Sequence, residues 1–192
     1  LLYKKHVTAH YKEFPMKYTN KAWLLVTLII LATAATSFAE SSAYGAGAAT
    51  QAIAAGRQFT VNDMLRWAAE DEYLARGEYE AIMGTFGNLR PYSNIMAAEE
   101  QHLAWLKAEY QTRGLPFPAD GSAPYVVLPG DLRAAAQAGV DAEIANIAMY
   151  KAFLARPEVS DPANASVKVL FEQLMRASEN HLRAFRNQLA RY

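Results

Sequence analysis

A carboxylate and an imidazole stand one helical turn apart in the stretch Ala97-Ala98-Glu99-Glu100-Gln101-His102. No other feature constrains the fold as tightly. Residues three or four apart share a helix face, so Glu99 and His102 lie on one stripe with the apolar Ile95 and Leu106. Such a stripe belongs toward a core. A buried charge is costly unless it is paired or bound to a metal. Any fold this chain adopts must bring partners to these two groups from elsewhere in the sequence.

Three further helical stretches supply candidates. The first is predicted from about residue 61 to 85. Thr60 is its N-cap, Asp63 follows three residues on as in a capping box, and Gly84 and Gly87 close it. Leu65, Glu72, Tyr79 and Phe86 recur every seven residues, which sets Glu72 on the inward stripe. The stretch holding Glu99 and His102 is the second, from about 92 to 113, and Gly114 stops it. Asp131 caps a third stretch. Gly139 is a candidate break within it, and the main helix runs from about 140 to 156 with Val140, Glu143, Ile147, Tyr150 and Leu154 on one face. Residues 157–164 read as a loop. The fourth helix, about 165 to 191, aligns Leu170, Leu174, Ser178, His181 and Phe185.

Pro116, Pro118, Pro124 and Pro129 keep the segment 115–130 out of a helix. Its sixteen residues can stretch about 50 Å, against about 33 Å for the second helix. The segment can cross the full length of a bundle. The expected architecture is all-α: a four-helix bundle over residues 60–192, built from two helical hairpins with a long crossover between helices two and three. Hydrophobic residues make up 52% and charged residues 20% of the chain, enough apolar surface for one full core.

The N-terminus has a different character. Lys17 and Lys21 flank a short basic region, residues 22–35 are largely apolar, and Ser37-Phe38-Ala39 offers small residues at a cleavage site. The pattern predicts a secretory signal peptide over 16–39, with an uncleaved membrane anchor as the rival. Residues 1–15 read as overrun upstream of an initiator at Met16. The expected location is secreted, periplasmic or at the outer face of the cytoplasmic membrane. The Ala/Gly-rich residues 40–59 read as a flexible leader. Five of the 19 Lys and Arg and one of the 19 Asp and Glu precede position 40, which leaves 14 basic against 18 acidic residues, a net of −4. No basic patch survives to hold nucleic acid.

There are no cysteines, so any metal must be held by Glu, Asp and His. Taken singly, Glu72 could pair with Arg76 on a solvated face, Glu143 could be an exposed helix residue, and either histidine could be a satisfied core residue. The force lies in the coincidence. Glu72, then Glu99 with His102, then Glu143, then His181 fall on the apolar stripes of four successive helices. Carboxylates with imidazoles suit iron or manganese, and zinc less specifically. Glu70, Asp71, Glu100 and Glu179 lie beside the stripes and read as solvated charges. Tyr79 and Tyr150 read as core aromatics, and Trp67 and Trp105 as packing residues.

These residues resemble a known group. Glu72-Tyr73-Leu74-Ala75-Arg76-Gly77-Glu78-Tyr79 is similar to the Glu-x-x-Ala-Arg-x-x-Tyr signature of the first rubrerythrin helix, within the ferritin-like superfamily. Glu99-Glu100-Gln101-His102 is similar to the Glu-x-x-His of the second helix. Glu70-Asp71-Glu72, Leu74-Ala75-Arg76 and Asn180-His181-Leu182 resemble more closely a family of uncharacterised prokaryotic ferritin-like domains. The resemblance spans about residues 60–191. It implies a ferritin-like bundle that holds iron, with manganese or zinc as alternatives, on Glu72, Glu99, His102, Glu143 and His181, Glu99 bridging if two ions bind. It further implies an oxidoreductase acting on oxygen or peroxide and drawing on an unidentified electron donor. The alternatives are a metal-storage module without turnover and a metal-free helical interaction domain. A homodimer is left open. Two positions depart from the rubrerythrin pattern: Ser178 stands three before His181, and Asn146 three after Glu143, where that pattern has carboxylates.

Overall fold

The computed structural model describes residues 43–192. The signal-peptide and overrun expectations, residues 1–39, lie outside the described residues. Among the described residues the chain is all-helical, without strands, as the periodicity implied. No helix among them is long and apolar enough to cross a membrane. In chain order the helices are α1 (Gly45–Ala54), α2 (Val61–Phe86), α3 (Tyr92–Thr112), α4 (Leu132–Leu154), α5 (Pro157–Ser160) and α6 (Ala165–Leu189).

Local chemistry sets the boundaries. Thr60 Oγ1 accepts from the Asp63 N–H at 3.2 Å and Asp63 Oδ2 accepts from the Thr60 N–H at 2.8 Å. This closes the capping box at α2, a device worth about 1 kcal/mol. Gly87 ends the helix at φ +95°, and Gly114 follows α3 at φ +66°, a conformation that costs glycine little. Asp131 caps α4 through the Ala134 N–H at 2.7 Å.

Several expectations are corrected. Residues 157–164, read as a loop, hold the short helix α5 and a single 3-10 turn over Pro162–Asn164. Gly139 does not break the third helix, for α4 is continuous through it. A Cβ there would lie 2.7 Å from the Phe185 ring, so the glycine lets α6 approach α4 closely. Nor is the leader a free tether over its described part. Residues 45–54 form α1, which packs on α2 and α4 through Ala46, Ala48, Ala49 and Ala52. An alanine-glycine helix this short is marginal alone. Here two carboxylates hold its N-terminus: Glu70 accepts from the Gly45 N–H at 3.3 Å and Asp71 from the Ala46 N–H at 2.9 Å. Negative charge at that end also suits the helix dipole. Glu70 and Asp71 are therefore not simply solvated.

α4 pairs most extensively with α6, and α2 with α3. The interior is divided along its length. One apolar cluster gathers Met64, Leu65, Trp67, Leu106, Phe153, Phe171 and Leu174 with α1. A second gathers Tyr79, Ile82, Tyr92, Ile95, Val140 and Phe185. α2 and α6 run from the first cluster to the second, and α3 and α4 run back. The segment 115–131 therefore runs from the first cluster's end to the second's. It lies along α2, where the Tyr73 hydroxyl donates to the Pro118 carbonyl at 3.2 Å and Arg76 pairs with Asp120 at 2.7 Å. Gly77 makes room for it: a Cβ there would sit 2.9 Å from Val126.

Candidate metal centre

Between the two apolar clusters lies a polar layer. Glu72, Glu99, His102, Glu143, Asn146, Ser178 and His181 are all buried there. The polar interruptions of the four stripes fall at one height, where they meet one another.

All five sequence-derived candidates come together. They form two groups, Glu72 with Glu99 and His102, and Glu99 with Glu143 and His181, with candidate ligand atoms in each within 4.8 Å of one another. Glu99 belongs to both and divides its oxygens between them. Its Oε2 lies 2.6 Å from His102 Nδ1, and its Oε1 lies 3.2 Å from His181 Nδ1. His102 Nδ1 also meets Glu72 Oε2 at 3.1 Å, and His181 Nδ1 meets Glu143 Oε1 at 3.3 Å. The two imidazoles stack across the carboxylate with ring centroids 5.8 Å apart. The surface alternative for Glu72 does not hold, since Arg76 turns to Asp120 and Glu80 instead.

Electrostatics follows from packing three carboxylates and two imidazoles out of water. Burial disfavours the His102 imidazolium, but hydrogen bonds to Glu72 and Glu99 outweigh it and push the group up to about 10. His181 behaves likewise, against Glu143 and Glu99, and rises to about 9. Burial would raise Glu99, yet hydrogen bonds from both histidines hold it below the usual carboxylate range. Burial and the neighbouring Glu99 charge push Glu72 well up, and burial pushes Glu143 up. Without a metal, the layer must hold protons where positive charge is needed.

The surroundings differ between the groups. The Tyr150 hydroxyl donates to Glu72 Oε1 at 3.1 Å, so Tyr150 is a hydrogen-bonding partner as well as a core aromatic. Tyr79 packs between Tyr92 and Phe185 as a core residue. Trp67 is buried, but Trp105 is 39% exposed and lies over His102 at 5.4 Å. Ser178 lies beside Glu143 and Asn146 beside Asp71, and each polar neighbour works against the rise that burial imposes on the carboxyl. Glu143 Oε2 is buried and has no hydrogen-bond partner. Such an orphaned acceptor is costly, and a cation beside it removes the cost. The donor set and the orphan both fit a metal ion: a Glu/His group here could hold one.

Sequence reasoning passed over Asp71. Burial pushes its carboxyl up to about 7 against the Ala46 hydrogen bond, with the Glu143 charge adding to the rise. Its place one residue before Glu72 gave the only available signal, and that signal points off the stripe. No family model matches the chain, and no curated protein or solved structure matches it either.

Proposed function

We propose that this chain is a ferritin-like protein whose four long helices form a four-helix bundle around two metal ions, and that it works as an iron-dependent oxidoreductase on oxygen or peroxide. One observation carries the reading: Glu99 offers one oxygen to each of two buried Glu/His groups. A carboxylate shared in this way is the arrangement that bundle-core dimetal sites use. The mixed donor set favours iron or manganese over zinc.

Glu72 and His102 would hold one ion, Glu143 and His181 the other, and Glu99 both. When bound, iron would supply the redox chemistry toward oxygen or peroxide. The chain's own residues bind and orient. Tyr150 keeps one oxygen of Glu72 engaged, which fixes the direction of the other. Ser178 steadies Glu143. The apolar clusters on either side exclude bulk water from the layer. The absent carboxylate at position 178 leaves the groups alike in composition, each with one carboxylate of its own, one histidine and the shared Glu99.

Metal analysis of the purified protein after reconstitution tests the reading. Two iron or manganese ions per chain are expected, and a content of a few tenths of an ion sinks it. Oxygen or peroxide consumption by the iron-loaded protein tests turnover. Tight binding without consumption turns the assignment to a storage module.

A further inference from the structure

A narrow cleft runs between α2 and α4 and ends at the polar layer. Asp71, Glu78, Glu143 and Asn146 line it with Tyr79, and Val127 and Pro129 of the crossover flank it. Every charged side chain on this wall is a carboxylate. Two acceptors here lack donors: Glu143 Oε2 and Asn146 Oδ1. Their residues are only 2% and 8% exposed. The free space is about 50 Å³, and a water needs about 10–15 Å³ of such space. The cleft thus admits a few waters, or an ion that has shed most of its own. A second groove, between α3 and α6 at Trp105, presents Val169, Leu170 and only Glu109 among charged groups.

We propose that this cleft is the entry port through which a divalent cation reaches the metal centre. The inference rests on the metal-centre reading above. Glu78 is half-buried and lies farther along α2 from the layer, where burial raises its carboxyl and the Val127 backbone works against the rise. Asp71, half-buried, meets the ion next. Asn146 Oδ1 and Glu143 Oε2 replace its lost waters, and Glu143 hands it into the layer, being itself one of the ligands. A cleft lined by one sign of charge raises the local concentration of the opposite ion. Asp71 is then a transit residue, outside the final ligand set.

Stopped-flow uptake of Co²⁺, followed by its visible absorption, tests the port on the folded protein. Asp71→Asn keeps an acceptor for the Ala46 N–H but removes the charge. Ala142→Leu narrows the mouth from an exposed position on the cleft. Both are expected to slow uptake about tenfold, the low end of what a charged cleft contributes, with the final stoichiometry and spectrum of the wild type. Gln173→Leu, exposed in the other groove, is expected to leave the rate alone. Wild-type rates in either cleft variant, or slowing by Gln173→Leu instead, overturn the port while the metal centre stands. Loss of an ion from the Asp71→Asn end state also overturns it, by making Asp71 a ligand. If the wild type takes up no Co²⁺, the metal-centre reading itself falls and the port falls with it.

Discussion

The two halves of the polar layer share Glu99 and have the same composition, yet they are finished differently. On the α2–α3 side the contacts to His102 are 2.6 and 3.1 Å, and Tyr150 occupies the remaining oxygen of Glu72. On the α4–α6 side the contacts to His181 are 3.2 and 3.3 Å, and Glu143 keeps an oxygen without a donor. The first half is closed and internally satisfied. The second is looser and abuts the cleft. Identical ligand types therefore need not give equal sites: hydrogen bonds behind the ligands set how firmly each is held. The closed half is expected to bind its ion more tightly, and the open half to exchange it faster.

The largest effect should come from the group common to both halves. Glu99→Gln removes the shared charge and is expected to lower metal content from two ions per chain to nearly none, read by elemental analysis. Retention of both ions would show that the halves do not depend on one bridge. His102→Ala and His181→Ala come next, each expected to cost one ion. The comparison is sharpened by which ion remains: after His181→Ala the remaining ion should resist a chelator longer than the one left after His102→Ala. The reverse order would break the distinction between closed and open halves.

Smaller effects should follow from the supporting groups. Tyr150→Phe is expected to weaken one ion by about 10–100-fold, the usual cost of losing a second hydrogen-bonded layer, in a competition titration. Ser178→Ala should weaken the other ion less, because the half it supports is already loose. Equal losses would argue that the supports do not distinguish the halves.

The metal-free protein should also respond to pH. Its His102 and His181 are held at about 10 and 9 against an ordinary 6.5. The stability that the protonated histidines contribute is full below pH 6.5 and is lost as pH rises through 9 and 10. Glu72 and Glu143, raised by burial, act in the same direction, since ionising them in the folded state is costly. The urea midpoint of the metal-free protein should fall between pH 6.5 and 10. In the metal-loaded protein, where cations replace protons, the fall should flatten. A metal-free midpoint that holds steady or rises over this range would contradict the ion pairs as drawn.

Much of this was legible in residue spacing. Seven-residue recurrences put Glu72 on an interior face, and steps of three and four did the same for Glu99, His102, Glu143 and His181. Helical geometry is local, so one chain segment suffices to read it. The leader shows where such reading stops. Residues 45–54 carry no stripe that contrasts with a polar face, so their helix could not be read from periodicity. It exists because Glu70 and Asp71 cap it from α2 and its small residues fit the surfaces of α2 and α4. Gly139 teaches the same lesson, since only the Phe185 ring pressing on it explains a glycine in mid-helix.

By itself, then, the sequence determined the helical class, the four long helices and the side of each helix on which the acids and histidines lie. Tertiary structure alone decided that these groups meet at one height, that Glu99 faces both histidines, that Ser178 and Asn146 lie beside Glu143 and Asp71, and that one half opens to a cleft. The division has a physical cause. Which face a side chain takes is fixed by the period of its own helix, but its partner is fixed by the axial offset and crossing of another helix, and these arise only when the whole apolar interior packs.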